Sequence, residues 1–405
     1  MNIPLIRPDL PTLEDVRAPF EEILANGKIT NFGKYVKQFE SETAAYLGGE
    51  TVAVSSGTVG LLFALSSVGF APGEKVILPS FTFTATAQAV LYAGGLPVFA
   101  EVGDDLTLSP QDLEHLLDQH PETAAVIGVH MYGLPARTAE IEGIVGAASR
   151  NRRRPISLFF DAAQAFGSSV DGRRVGTFGD AEVFSLSVSK VLVSVEGGLV
   201  STRRPELAER IRLMRNYGIR ANYDAHYSGL NGKMSEFHAI IGLHNLRRLD
   251  HILATRQERA HRYAHQIRRN TSLRVLVWPS GVVHTVKDFT VLVPGPNADR
   301  RNEIIQFLAE RGIESRAYFF PPVHEQKYFC KYADRPLPKT EAFSRRVITL
   351  PFYTSMSDQE MDYVVEQLSE AERRFGMRIS AKGGAGHLGS VLNCGNQSKP
   401  GRDEA

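Results

Sequence analysis

Residues 156–164 read Ile-Ser-Leu-Phe-Phe-Asp-Ala-Ala-Gln, a short apolar run that ends on a carboxylate. A run of this length and composition is typical of a strand that is buried on both faces of a sheet. Helix-like stretches, such as 59–69 and 84–93, separate further runs of the same kind. We therefore predict an α/β fold whose mostly parallel, seven-stranded sheet is flanked by helices. The predicted strands are residues 51–55, 75–78, 96–101, 124–129, 156–160, 181–185 and 198–202.

The rest of the chain predicts two helices before this sheet and a second α/β unit after it. Thr12 can cap a helix that runs through Ala25, and apolar spacing predicts another helix over 33–47. A long helix over 235–268 should break near Asp250. The second unit is predicted to contain strands at 289–293 and 347–350 and helices at 302–311 and 358–371.

These elements suggest a division into domains. We expect a large domain over residues 1–250, a small C-terminal α/β domain over 251–375 and a disordered tail over 376–405. The tail holds seven glycines and little apolar periodicity. Its pattern G-x-G-x-x-G at 384–389 carries meaning only between a strand and a helix, so we assign it no dinucleotide.

Composition excludes several classes of protein. Lysine and arginine total 46 against 45 acidic residues, so a general phosphate-binding surface for nucleic acid is not expected. No run of eighteen apolar residues predicts a membrane span, and the first residues do not resemble a secretory signal. Two cysteines, Cys330 and Cys394, make neither a disulfide framework nor a metal cluster. We expect a cytoplasmic protein with no nucleic-acid or membrane partner and no bound metal.

In a sheet of this kind, the functional site lies outside the carboxyl ends of the strands. Asp161 directly follows the apolar run 156–160. A buried carboxylate needs a partner, and a cationic ring nitrogen would be one. The alternative is an aspartate that caps a helix, and the sequence leaves both interpretations open.

Lys190 ends the stretch Phe184 to Lys190, in which serine alternates with apolar residues, and Glu196-Gly197-Gly198 follows. A lysine among small hydroxyl residues near the strand ends is a candidate Schiff-base amine, because desolvation and nearby cations can lower its pKa toward the working range. An exposed loop lysine is the alternative. A single lysine does not decide between them.

The turn Ser56 to Gly60 joins a predicted strand to a predicted helix. Gly57 would let the backbone approach an anion closely, while the amides at the helix start and the Thr58 hydroxyl would donate to it. An ordinary strand-to-helix turn is the alternative. Taken together, a phosphate cradle, an aromatic side chain, a carboxylate and a lysine in this order suit pyridoxal 5'-phosphate.

The order and content of these segments resemble the DegT/StrS family of sugar aminotransferases, which are fold-type I pyridoxal-phosphate enzymes. The resemblance extends over nearly the whole chain to about Leu368. The resembling segments are 30–33, 54–58, 79–83, 161–164, 185–190, 196–198, 229–235 and 318–324.

The resemblance implies a role for each matching residue. Lys190 would be the catalytic residue that forms the aldimine with the cofactor, and Asp161 would pair with the pyridine nitrogen. The other implied cofactor contacts are Gln164 near the phenolic oxygen, Phe83 (or its neighbour Phe81) on the ring face, Gly57, Thr58 and Ser185 at the phosphate, and Asn231 reaching the phosphate from a partner subunit.

Substrate contacts are implied for Lys233, Tyr318 and His324. Lys233 departs from the family pattern, which usually has an arginine at this position, so a bidentate contact would become a point-charge contact. The segment between Tyr132 and Phe160 is longer and more basic than usual, and we expect a solvated loop there.

The resemblance implies a homodimer with composite sites that aminates a keto sugar, most simply a nucleotide-linked keto-deoxysugar. Glutamate or glutamine would be the donor in a ping-pong reaction that serves antibiotic or polysaccharide biosynthesis. Members of the dehydratase branch have histidine where Lys190 stands, so the lysine argues against that branch. An aminotransferase of a cyclic polyol ketone and a non-catalytic sensor or scaffold of the same fold stay open as alternatives.

Overall fold

A computed structural model describes residues 1–150, 152–276 and 278–377. Its helices are α1 Leu13–Asn26, α2 Lys34–Leu47, α3 Gly57–Ser66, α4 Thr84–Tyr92, α5 Pro110–Gln119, α6 Thr138–Ser149, α7 Pro205–Met214, α8 Glu236–Arg247, α9 Leu249–Asn270, α10 Arg301–Ala309, α11 Pro338–Ser344 and α12 Asp358–Arg374. Its strands are β1 Glu50–Val54, β2 Lys75–Pro79, β3 Leu96–Ala100, β4 Thr123–Val129, β5 Ser157–Asp161, β6 Ser169–Val170, β7 Arg173–Arg174, β8 Ala181–Ser185, β9 Gly198–Thr202, β10 Ile219–Ala221, β11 Asp224–Ala225, β12 Arg274–Val275, β13 Val282–Val283, β14 Phe289–Leu292 and β15 Val347–Leu350.

The central element is a seven-stranded sheet in the order β1-β9-β8-β5-β4-β2-β3. Only β9 runs antiparallel to its neighbours, which are β1 and β8. The other strands therefore share one direction, and their carboxyl ends lie at the same edge. The prediction of a mostly parallel seven-stranded sheet is confirmed.

Both faces of this sheet are buried because its strands carry apolar side chains at successive positions. In β4, Val126 faces a core that includes Leu113 of α5 and Leu243 of α8. Its neighbour Ile127 faces the opposite core, which includes Leu61 of α3. Side chains alternate between the faces of a strand, so a continuous apolar run fills both cores at once.

The first two helices pack beside the sheet and are fixed at their N-termini. Thr12 caps α1 through a reciprocal pair of hydrogen bonds with Asp15, which agrees with the predicted cap. The N-terminus of α2 is held by the buried Glu236 carboxylate, which accepts from the amides of Gly33 at 2.9 Å and Tyr35 at 2.7 Å. A carboxylate at this position satisfies amides that have no partner within the helix.

The second unit contains the antiparallel sheet β12-β14-β15, which packs against α9, α10 and α12. The predicted break in the long helix occurs at Arg248, between α8 and α9. The start of α9 contributes Ile252 to the core of the large sheet, and its later residue Ile267 belongs to the second core. The domain boundary predicted at residue 250 falls at the start of this shared helix, and the division into domains stays a prediction.

The segment between Tyr132 and Phe160 is not only a solvated loop, since it contains α6, whose Ile141 is buried. In the basic run after this helix, Arg152 donates to the carbonyl oxygen of Thr123 at 2.7 Å. The glycine-rich pattern at 384–389 and nearly all of the predicted tail lie outside the described residues.

Within the described ranges, no helix is both long and apolar enough to cross a membrane.

Candidate active site

A cavity of about 410 Å³ opens where the carboxyl ends of the large sheet meet the segment before β14 and the loop after α10. Eight of the eleven site residues that the sequence predicts line this cavity, and three do not. The lining group comprises Gly57, Thr58, Phe83, Asp161, Gln164, Ser185, Lys190 and Tyr318. The other three are Asn231, Lys233 and His324.

One end of the cavity is the start of α3. Ser56 caps this helix by accepting from the amide of Val59 at 3.2 Å. A Cβ placed on Gly57 would lie 2.9 Å from the Cβ of Ser185, closer than real Cβ atoms approach one another. Glycine at this position therefore lets the end of β8 lie against the start of α3. The amides of the helix start and the hydroxyl groups of Thr58 and Ser185 can donate to an anion there.

Asp161 is buried at the end of β5, and both of its carboxylate oxygens are hydrogen-bonded. One oxygen accepts from the Thr86 hydroxyl at 2.7 Å, and the other accepts from the amide of Ala163 at 3.0 Å. No helix begins after Asp161 within the described residues of this loop, because residues 162–167 form turns. The helix-cap alternative is therefore wrong, and Asp161 is a fixed carboxylate at the cavity wall.

Lys190 lies in the connection between β8 and β9 and lines the cavity. Desolvation by the surrounding protein lowers its pKa to about 8, and the neighbouring Lys287 ammonium acts in the same direction. Asp288, Asp161 and Glu196 oppose this shift. The alternative of an ordinary exposed loop lysine is wrong, because Lys190 is partly buried, lines the cavity and has a pKa that desolvation lowers.

The sequence left Phe83 and Phe81 as candidates for the aromatic side chain on the ring face of the cofactor. Phe83 lines the cavity and is 59% exposed, with its ring 5.9 Å from that of Phe319. Phe81 is fully buried against Tyr132 and does not line the cavity. The geometry therefore favours Phe83. Gln164 is oriented by its side-chain oxygen, which accepts from the amide of Tyr132.

Asn231 and Lys233 lie outside the cavity of their own chain, beside the hairpin of β10 and β11. Asn231 is exposed and forms an isolated bridge with Asn216. Lys233 contacts the Asn216 side chain at 3.4 Å and the ring of Tyr217. Ser235 caps α8, so Asn231 is not the cap of that helix.

His324 is buried behind the cavity wall. Its Nδ1 lies 2.6 Å from the Ser80 hydroxyl, and its Nε2 lies 3.4 Å from Glu341. The Ser80 oxygen also accepts from the His324 amide at 3.0 Å. These bonds fasten the loop that carries Tyr318 to the end of β2, and they leave the imidazole away from the cavity.

Sequence reasoning missed Lys287 as a site residue. It comes from the second unit and lines the cavity together with Lys190. The one sequence signal is a charged pair, Lys287-Asp288, placed directly before the apolar strand β14. Such a pair usually marks a solvent-exposed strand start, so its burial could not be inferred from local pattern.

Known proteins resemble this chain over most of its length. The pleiotropic regulatory protein of Geobacillus stearothermophilus is 30% identical over 93% of this chain and 100% of its own length. The UDP-N-acetyl-3-dehydro-α-D-glucosamine 3-aminotransferase of Acidithiobacillus ferrooxidans is 33% identical over 86% of this chain and 94% of its own.

Similarity extends to solved structures and to a family model. The PLP form of Spr1654 from Streptococcus pneumoniae superposes with a TM-score of 0.85 at 25% identity, covering 92% of this chain and 99% of that one. The model of the DegT/DnrJ/EryC1/StrS aminotransferase family matches residues 12–369. With its fold, its lysine-bearing cavity and this match, the chain belongs to the DegT/DnrJ/EryC1/StrS aminotransferase family.

Proposed function

We propose that this protein transfers an amino group from glutamate or glutamine to a nucleotide-linked keto sugar, with pyridoxal phosphate as its cofactor. The reaction class and the cofactor follow from family membership. The observation that supports the residue assignments is that Lys190 and Asp161 line one cavity with the start of α3. The UDP-sugar aminotransferase among the relatives supports the substrate class.

The residues of the cavity fit this cofactor. The close approach of Gly57 to Ser185 makes a cradle of amides and hydroxyls for a phosphate, since an added Cβ would meet Ser185 at 2.9 Å. Asp161, an acceptor held by Thr86 and the Ala163 amide, suits a protonated ring nitrogen. When bound, pyridoxal phosphate supplies a carbonyl for amines and a ring that withdraws electrons from the reacting carbon.

The residues of this chain then have distinct tasks. Lys190 would hold the cofactor covalently between turnovers. With a pKa of about 8, an appreciable fraction of its amine is neutral near pH 7 and can take a proton. Once displaced by the donor, Lys190 Nζ would take the proton from the donor's α-carbon and pass it to the cofactor. In the second half of the reaction, it would move a proton from the cofactor to the carbon of the sugar that receives the amino group.

The remaining predicted contacts complete the proposal. Phe83 covers one face of the ring, and Gln164 faces its phenolic oxygen. Tyr318 contacts the substrate from the loop that His324 fastens to Ser80.

Assembly and location belong to the same proposal. Asn231 and Lys233 would act in the site of a partner subunit, which makes the working form a cytoplasmic homodimer with composite sites. Exposed aromatic side chains on and beside the same hairpin support a protein contact there; they are Tyr217, Tyr223 and Tyr227.

A regulatory role without catalysis is the second candidate, favoured by the full-length similarity to the pleiotropic regulatory protein. The presence of Lys190 and Asp161 in one cavity supports catalysis.

The deciding experiment incubates the purified protein with pyridoxal phosphate, glutamate or glutamine, and a panel of nucleotide-linked keto sugars and cyclic polyol ketones. Mass spectrometry then detects the amine product. Amination of a nucleotide sugar by the native protein, absent with Lys190→Ala, is the expected result. Amination of polyol ketones alone would contradict the proposed substrate, and no product from any acceptor would favour the regulatory role.

A further inference from the structure

The cavity contains a second ammonium group whose task the proposed reaction has not used. Lys287 Nζ lies 2.7 Å from the Asp288 carboxylate, and the two side chains are 5% and 2% exposed. Among the described residues that line the cavity, Lys190 and Lys287 are the lysines, and no arginine lines it. Burying the Lys287–Asp288 pair costs desolvation free energy. Such a cost must be offset by well-placed hydrogen bonds or by a functional role.

The backbone that carries Lys287 is fixed between the two units of the chain. Its amide donates to the carbonyl oxygen of Tyr132 at 2.8 Å. Arg256 donates to the carbonyl oxygen of Val286 at 2.6 Å, and Thr285 donates to the carbonyl oxygen of Gln164 at 2.9 Å. The ammonium is therefore held in position by a rigid support, as a specificity contact must be.

An ammonium has three N–H donors, and Asp288 accepts from one side. Lys287 also lines the cavity, so its ammonium can donate to a ligand there as well. Asp288 sits behind it and orients it without lining the cavity. This arrangement can accept one further anionic or strongly polar oxygen from the cavity side.

The neighbourhood of Lys190 indicates which ligand supplies the oxygen that Lys287 binds. The donor's nitrogen replaces the Lys190 amine, so the donor's α-carbon is one bond, and its α-carboxylate two bonds, from that position. Lys287 is close enough to the amine to oppose its protonation. We propose that Lys287, oriented by Asp288, binds the α-carboxylate of the amino-acid donor. This inference rests on the proposed function and assigns the contact that selects an α-amino acid.

The test compares two donors that differ in the position of one amide. Glutamine keeps the α-carboxylate, while isoglutamine has an α-amide and keeps the side-chain carboxylate. The first half-reaction of the cofactor-loaded protein is followed by absorbance in a single turnover. We expect the native protein to prefer glutamine by about tenfold or more in its apparent second-order rate constant. Lys287→Met should reduce this preference to about threefold or less, mainly by raising the half-saturating glutamine concentration.

A binding measurement gives a readout that is independent of turnover. α-Methylglutamate lacks the α-hydrogen and cannot complete the reaction, so its dissociation constant can be measured by calorimetry. Lys287→Met should raise this constant by about tenfold, while Lys287→Arg should keep it within about threefold. Lys28→Met removes an exposed lysine that lies far from Lys287 in the sequence, and it serves as the matched control.

Lys287→Met leaves the buried Asp288 without its partner, which can destabilise the protein. The double variant Lys287→Met, Asp288→Asn removes both charges and should show the same loss of donor preference in a folded protein. An unchanged preference in a folded, cofactor-binding variant would overturn the inference while the proposed function stands. An equal loss for glutamine and isoglutamine would also overturn it, because a general structural effect does not distinguish them. No half-reaction by the native protein with any amino acid would contradict the proposed function and this inference together.

Discussion

Asp161 accepts a hydrogen bond of 2.7 Å from the hydroxyl of Thr86, a residue of α4 that lies 75 positions earlier in the chain. Thr86 is in turn 2.9 Å from the Thr82 hydroxyl. The carboxylate is thus oriented by a side chain of α4 as well as by the backbone of its own turn. Such support keeps a buried carboxylate in one position and leaves lone pairs for a cationic partner.

Asp161→Asn should keep the fold and lose turnover, because an amide cannot stabilise a protonated ring nitrogen as a carboxylate does. We expect kcat to fall by about 10³-fold or more, the size of a major electrostatic contribution. Steady-state kinetics and circular dichroism measure the two effects. Thr86→Val, which removes only the orienting hydroxyl, should cost far less activity. Near-normal turnover in Asp161→Asn would show that the carboxylate has a structural role only.

Gly57→Ala should weaken cofactor binding, because the new methyl group would lie 2.9 Å from the Cβ of Ser185 at the proposed phosphate cradle. Equilibrium titration with pyridoxal phosphate should show a dissociation constant raised by about tenfold or more. Gly143→Ala is the matched control, since a Cβ there meets nothing within 4 Å and α6 gains helix propensity. Equal affinities of the Gly57→Ala variant and the native protein would contradict the cradle.

The sequence predicted the large sheet well because its signal is local. An apolar run of five to seven residues specifies a strand without reference to distant residues, and all seven predicted strands agree with the structure to within one or two positions at each end. Helices with a capping signal, such as α1 with Thr12, could be predicted equally well from the sequence. The helix α6 was missed because the basic residues that follow it, 152–154, led us to expect a solvated loop over the whole segment.

Most of the predicted residues that line the cavity follow a strand end, and Tyr318, which the family resemblance supplied, is the exception. His324 was expected at the substrate, but its position depends on a bond to Ser80, which is 244 positions away. Lys287 was overlooked because its burial results from packing of the second unit against Tyr132. Contacts between distant segments have no local sequence pattern, so their consequences for burial and charge appear only in the folded chain.

Lys190→Ala should abolish the covalent link to the cofactor, so borohydride reduction would no longer attach pyridoxal phosphate to the protein. In the native apoprotein, the rate of attachment should rise with pH through about 8 and then level off, because the neutral amine is the nucleophile. Stopped-flow absorbance and mass spectrometry measure the two effects. A reducible adduct in Lys190→Ala would identify a different lysine, and Lys287 would be the first to test.

Lys190 should also affect stability in a pH-dependent way. Its pKa of about 8 in the folded protein lies below the ordinary lysine pKa of 10.5, so between these values the unfolded chain binds more protons than the folded one. Stability contributed by this group therefore rises with pH across that window. Lys190→Met should consequently stabilise the apoprotein more at pH 7 than at pH 10, as measured by urea unfolding. A stability difference that does not change with pH would contradict the lowered pKa of Lys190.

Truncation tests where the folded chain ends. The sequence places the tail from residue 376, yet Met377 is buried at 5% exposure and Phe375 packs against Phe307. Ending the chain after Met377 should leave the melting temperature and activity unchanged. Ending it after Arg374 removes two apolar side chains from the second core and should lower the melting temperature by about 3–8 °C. Loss of activity in the chain that ends at Met377, with its melting temperature unchanged, would assign a function to residues 378–405.

The last prediction concerns the proposed composite site. Asn231 lies outside its own chain's cavity and does not cap α8, since Ser235 does so. If its amide donates to the phosphate in a partner's site, Asn231→Ala should weaken cofactor binding by about 1–3 kcal/mol. Mixing this variant, at a cofactor concentration too low to load it, with inactive Lys190→Ala protein places both lesions in one site of each heterodimer and leaves the other site intact.

Activity should then return in part, up to about one quarter of the native value when subunits exchange at random and each heterodimer keeps one of its two sites. Native mass spectrometry confirms that exchange has occurred, and Lys28→Met mixed with Lys190→Ala gives the reference for a variant without a lesion at the site. If heterodimers form and activity stays at the level of the separate variants, Asn231 does not act across the interface. Its exposed amide would then need a role within its own subunit, where the structure gives its segment contacts with Asn216 but none with the cavity.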